Sequence, residues 1–164
     1  MTPERLARNV LMQHWDGMLP VDVHAIAEIM GVVVESSPRM EESGKVCRKS
    51  ATDDYVIFYN ASDHEVRQRF TIAHEIGHIV LGHLANREEC LRDPREHYSI
   101  DNFDPKERDA NRFAAALLMP ADAVRAAVAH MKDPTLARLA DLFKVSKLAM
   151  EIRLKSLGII PAWV

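Results

Sequence analysis

The chain has little sulfur chemistry to offer. Of its 164 residues only Cys47 and Cys90 are cysteines; they form no CxxC pair, and they suit a reducing cytoplasm better than a disulfide framework. No apolar run approaches the about 18 residues that a membrane-spanning helix needs. There is no internal repeat and no low-complexity tract. A formal net charge of −3 gives no general pull toward nucleic acid or an anionic membrane. The start, Thr2-Pro3-Glu4-Arg5, has the chemistry of a capped, charged helix rather than of a signal peptide, so the expected location is cytoplasmic. What is present is 48% hydrophobic residues, enough for one domain with a real core, or one domain with a small appendage.

Residues 74–78 read His-Glu-Ile-Gly-His. On a helix, positions i and i+4 share a face, so His74 and His78 can aim ring nitrogens at one point. Two neutral imidazoles so placed are half of a tetrahedral zinc site, and Glu75 can reach a water there without being a ligand. The pentapeptide is short, and a plain amphipathic helix with two histidines would read the same way. Its surroundings favour a site. Ser62 and Glu65 have the spacing of a capping box, which predicts a helix from about Asp63. Phe70, Ala73, Gly77, Val80 or Leu81, and Leu84 then form an apolar stripe that the histidines flank. Buried imidazoles need partners, and Gly77 lets a neighbouring helix come close.

A zinc site needs a third protein ligand, and a catalytic one leaves the fourth position to water. His83 is near, but nine residues beyond His74 it lies about 180° around an ideal helix, so a cap or supporting role suits it better. Glu107 opens a helical run closed by Pro120, and it shares a face with Asn111 beside the small Ala110 and Ala114. That helix can pack tightly on the first, set a carboxylate by the imidazoles, and let Asn111 hydrogen-bond a ligand histidine. Glu107 also fits a capping box headed by Asp104 and Pro105, and Asp109, Glu96 and Asp101 are rival carboxylates.

Taken together, Arg69 to His78, Leu81-Gly82-His83 and Glu107 to Pro120 closely resemble the ImmA/IrrE family of metallopeptidases. Leu19 to Val23, Ile26-Ala27 and Met30-Gly31-Val32 are similar to that family's N-terminal helix and first strand. Leu139 to Ser146 and Ala149 to Leu154 look like its C-terminal helical pair. The resemblance implies one zinc ion (or another divalent metal) held by His74, His78 and Glu107, with Glu75 catalytic. It also implies a gluzincin-like proteolytic core and a cytoplasmic protein substrate, typically a helix-turn-helix repressor.

The expected fold is α+β. Residues 1–131 form a mainly helical zincin-like core with a small three-stranded antiparallel or mixed sheet, and 132–164 a helix-turn-helix-like appendage. Helices are expected over about Pro3–His14 and from Asp22 to Gly31, a strand at Val32–Glu35, and a hairpin of Lys45–Lys49 with Tyr55–Tyr59. The second hairpin strand is either core or an exposed edge on which an extended substrate pairs. Residues 85–104 read as a charged connector without assignable structure. Two last helices are expected from about Asp133 to Phe143 and from Ser146 to Leu157, with Leu148, Ile152 and Leu157 as packing positions. The last segment carries six Lys/Arg against three Asp/Glu, but Lys147, Arg153 and Lys155 make a poor basic face, so DNA contact is not expected. The function expected is a zinc endopeptidase that cleaves a repressor-like protein. The rival is an interaction module, a toxin–antitoxin or repressor partner, whose metal site is structural or vestigial. Candidates for stabilising an oxyanion are His97, Tyr98, Tyr59 and His83, with no spacing to choose among them.

Overall fold

A computed structural model describes residues 1–49, 54–84, 90–93 and 104–162. Along these run α1 (Pro3–His14), α2 (Val23–Ile29), β1 (Val33–Ser37), β2 (Gly44–Arg48), β3 (Tyr55–Asn60), α3 (Glu65–Val80), β4 (Cys90–Asp93), α4 (Pro105–Leu118), α5 (Ala121–His130), α6 (Leu136–Phe143) and α7 (Lys147–Ser156). The fold is α+β, as the sequence indicates, but the described sheet has four strands rather than three.

Capping chemistry sets most of the helix starts. Thr2 Oγ1 accepts from the Arg5 amide at 3.3 Å, Asp22 Oδ1 from Ala25 at 3.0 Å, and Asp104 Oδ1 from Lys106 at 2.9 Å. Pro3 and Pro105 stand in the first turn of their helices, where a missing N–H costs nothing. Two expected starts move. Ser62 does not cap α3, because its amide donates to Asn60 Oδ1 at 2.9 Å and the chain is still turning away from β3; the helix begins at Glu65. The penultimate helix begins at Leu136 rather than Asp133, since Asp133 sits at φ 54 and Thr135 supplies the cap. The alanine-rich α5 has no counterpart in the sequence reading.

The sheet order is β1-β3-β2-β4. β1 runs parallel to β3 with Val33 opposite Val56, and β2 lies antiparallel to β3 with Val46 opposite Ile57. β3 is therefore central and paired on both sides, which rules it out as a substrate-accepting edge. β4, from the connector that has no assignable structure in the sequence, pairs antiparallel with β2. That pairing overturns the expectation for the cysteines. Cys47 and Cys90 are directly opposed in the β2–β4 register and form a disulfide. The rest of the connector, and the turn between β2 and β3, lie outside the described residues.

α3 runs between the sheet and α4. Its eight residues Thr71–His78 are buried in sequence, which happens when neighbours cover every face of a helix. β2 and β3 lie on one side and α4 on the other, with α1 packed outside α4. The same apolar cluster takes in Val46 and Ile57 from the sheet, Phe113 and Leu117 from α4, and Leu139, Phe143, Met150 and Leu154 from the last two helices. α7 turns Met150, Arg153 and Leu154 inward, so Leu148, two residues before Met150, faces outward at 63% exposure and is not a packing position. Arg153 is not on a basic outer face either: it is buried, and its Nε donates to the Met119 carbonyl at the end of α4 at 3.0 Å. Arg69 makes a similar clamp, donating to Val21 O at 2.8 Å and to Lys144 O at 3.3 Å. Burial lowers the pKa of both guanidiniums. Among the described residues no single helix is long and apolar enough to cross a membrane.

Candidate metal centre

The close crossing of α3 and α4 depends on Gly77. A Cβ there would stand 3.0 Å from Phe113 Cδ1 and 3.3 Å from the Ala110 carbonyl. With no side chain in the way, the first turn of α4 comes down beside the second half of α3. His74 and His78, one turn apart, face Glu107 across that contact. His74 Nε2 lies 3.1 Å from Glu107 Oε2, His78 Nε2 lies 3.3 Å from Glu107 Oε1, and the two Nε2 atoms are 2.9 Å apart. Among the described residues this is the one group of three such donors, with all ligand atoms within 4.8 Å of one another. His74, Glu75 and His78 are at most 1% exposed and Glu107 8%.

The outward nitrogens of both rings are occupied. His74 Nδ1 is 2.8 Å from Asn111 Oδ1, and His78 Nδ1 is 2.8 Å from His83 Nδ1. An amide oxygen can only accept, so His74 carries its proton on Nδ1 and turns an Nε2 lone pair inward. His83 reaches its place because Leu81 and Gly82, the latter at φ 72, end the helix and the His83 amide donates back to the His78 carbonyl at 3.0 Å. Burial, then the neighbouring His78, lower the His83 pKa to about 4. A neutral His83 can accept the Nδ1 proton of His78, which leaves that ring's Nε2 lone pair inward as well. Two imine lone pairs and a carboxylate thus converge in a buried space, mutually repulsive unless a cation lies among them. The donor set of two nitrogens and one carboxylate fits a divalent metal ion.

Asn111 and His83 thus stand where the sequence suggests supporting residues, His83 touching His78 from outside the donor group. Asp109 does not join: it is 37% exposed, with Arg112 Nη1 4.0 Å away. Tyr59 packs edge-on against His24, with ring centroids 5.8 Å apart. Glu96, His97, Tyr98 and Asp101 lie outside the described residues. Gly44 is the residue that sequence reading passes over. A Cβ on it would overlap the Thr71 γ-methyl and stand 3.0 Å from Glu75 Oε1, so the backbone of β2 lies directly on the glutamate of the motif. A glycine inside a strand is a known sign of such an approach, but it does not say to what.

An HExxH helix crossed by a glutamate-bearing helix and backed by a mixed sheet defines a candidate metal centre of the HExxH class. Comparison with known proteins narrows that class. Residues 27–155 match the family model Peptidase_M78, the IrrE N-terminal-like domain, and the chain belongs to this family. It is 30% identical over 137 residues to the radiation response metalloprotease IrrE of Deinococcus deserti, covering 82% of this chain and 46% of that protein. It is 24% identical over 143 residues to the metallopeptidase ImmA of Bacillus subtilis, covering 84% and 77% respectively. The chain thus spans about half the length of the Deinococcus relative. Among solved structures, a Mycobacterium tuberculosis transcriptional regulator shares the fold, with a TM-score of 0.62 at 20% identity, covering 93% of this chain and 46% of that one.

Proposed function

We propose that this chain is a zinc-dependent endopeptidase in which His74, His78 and Glu107 hold the ion and Glu75 is the general base. The observation that carries this reading is the convergence of His74 Nε2, His78 Nε2 and the Glu107 carboxylate, with Glu75 next in sequence to His74 and equally buried. A purely structural site has no use for such a base. The relatives named metalloprotease and metallopeptidase support the same class. The proposed substrate is a cytoplasmic regulatory protein, a helix-turn-helix repressor, as the family resemblance implies. Residues 132–164 serve in this reading as a helical appendage to the peptidase core.

Zinc, when bound, supplies Lewis acidity that lowers the pKa of water from about 15.7 toward about 7. Glu75 accepts a proton from the attacking water and passes it to the leaving amine. Asn111 and His83 hold the two imidazoles in the tautomer that keeps Nε2 free. Gly44 keeps β2 from displacing the Glu75 carboxylate.

Elemental analysis of purified wild type and of His78→Ala, Glu107→Ala and Glu75→Gln tests the assignment. Near-stoichiometric zinc is expected in wild type and Glu75→Gln and is lost in the other two. A wild type that binds no divalent metal even when zinc is supplied would end the peptidase reading, leaving an interaction module as the better account.

A further inference from the structure

His74, Glu75 and His78 are at most 1% exposed in this conformation. The strand against that glutamate is β2, through the bare backbone of Gly44. β2 has no free edge. β3 pairs along one side and β4 along the other, with Asp93 opposite Gly44 and Cys90 opposite Cys47. β4 is only four residues long, so its ladder to β2 is short. The Cys47–Cys90 bond ties β4 to β2 covalently, and Cys90 is exposed while Cys47 is half-buried. Exposed disulfides are those that exchange readily with external thiols.

We propose that the Cys47–Cys90 disulfide is a redox latch on the site: a dithiol reductant that opens it releases β4 from β2 and gives β2 a free edge beside Glu75 for an extended polypeptide. The exchange is balanced. A thiolate of the reductant attacks Cys90 Sγ, the sulfur–sulfur bond breaks, and Cys47 leaves as a thiolate that takes a proton. The second thiol of the reductant then attacks the mixed disulfide and frees Cys90. Two electrons and two protons pass to the protein, and the reductant becomes a disulfide. The movement of β4 stands independently of the activity; its meaning as a gate rests on the peptidase reading.

The test compares amide hydrogen exchange in three proteins: wild type oxidised with oxidised glutathione, the same protein reduced with dithiothreitol, and Cys47→Ser/Cys90→Ser. Alkylation and intact mass establish the thiol state of each. The latch predicts at least tenfold faster exchange, on reduction and in the double variant, of those amides within Gly44–Cys47 that point toward β4, with the amides bonded to β3 and those of α1, α4 and α7 unchanged. It also predicts faster removal of bound zinc by a chelator in the reduced form. Unchanged protection of β2 with both thiols free would overturn it, as would failure of wild type to form the bond under oxidation. Loss of protection throughout the molecule would make the bond a structural staple and equally overturn it. Should the double variant not fold, reduced wild type still decides. Should neither form hold zinc, the peptidase reading fails while the exchange data still judge the latch.

Discussion

Replacing Asn111 tests how the site fixes the orientation of its histidines. Asn111 Oδ1 lies 2.8 Å from His74 Nδ1, and the His74 ring has no exposed surface. Removing that acceptor leaves a buried N–H without its partner, a loss of about 1–3 kcal/mol. Only the tautomer with Nε2 unprotonated can bind a metal, so the loss falls on metal affinity. Partners of this kind change metal affinity by about 10- to 100-fold, or about 1.4–2.7 kcal/mol, in agreement with the hydrogen-bond figure. Asn111 is itself half-buried, so the substituent decides where in that range the effect falls. Asn111→Ala leaves room for a water to accept the proton and should cost about tenfold. Asn111→Leu fills the space with hydrocarbon and should approach 100-fold. Zinc dissociation constants from competition with a chromophoric chelator, beside urea unfolding of the metal-free proteins, separate binding from folding. A leucine variant that holds zinc as tightly as wild type would refute the claim that Asn111 sets the tautomer of His74.

Gly77→Ala gains about 1 kcal/mol of helix propensity but pushes a methyl to 3.0 Å from Phe113, and overpacking costs about 1–3 kcal/mol; a net loss of stability up to about 2 kcal/mol is expected in thermal unfolding, together with weaker zinc binding as Glu107 moves off. Undiminished zinc affinity would show that the crossing does not set the donor geometry. Arg153→Met keeps most of the buried hydrocarbon but takes the donor from the Met119 carbonyl, which should lower urea-unfolding stability by about 1–3 kcal/mol. Glu4→Gln should cost only about 0.2–1 kcal/mol at pH 7, because Glu4 Oε1 meets the Arg112 Nε at 2.8 Å while Arg112 is 51% exposed. Burial alone would raise the Glu4 pKa, but hydrogen bonds to the Glu4 amide and Arg112 outweigh it and lower it below 4.5. The increment is therefore present above the unfolded value and lost as pH falls through the folded one, so wild type and Glu4→Gln should converge in acid. A gap between their denaturation midpoints that persists there would contradict this.

What the sequence discloses and what it conceals divide along the range of the interaction. The donor group was legible because each part of it is a local signal. The i, i+4 spacing puts His74 and His78 on one face, Asp104 and Pro105 fix the start of α4 and hence the position of Glu107, and Gly77 with Ala110 lets the helices meet. β1 and β3 were legible too, from β-branched and aromatic runs whose composition suits a strand, and β2 as the hairpin partner of β3. The order of strands was not. Nothing within Tyr55–Tyr59 distinguishes a central strand from an edge, because that depends on where β1 returns. Nothing near Cys90 announces a strand, since four residues are too few to show a period and the partner lies far back in the chain. The Ser62 capping box failed for a related reason: the Asn60 side chain competes for the same stretch of backbone, and the turn out of β3 won.

The two non-local surprises meet on one strand. β2 presents Gly44 to Glu75 from its face and Cys47 to Cys90 across its outer edge, with Val46 buried between them. The contact that limits the room around the proposed base and the bond that covers the strand's edge are three residues apart. In the latch proposed above, a change at that edge reaches the site along one strand, β2. That short path is the physical reason to look for control of this protein at β2 rather than at its C-terminal helices.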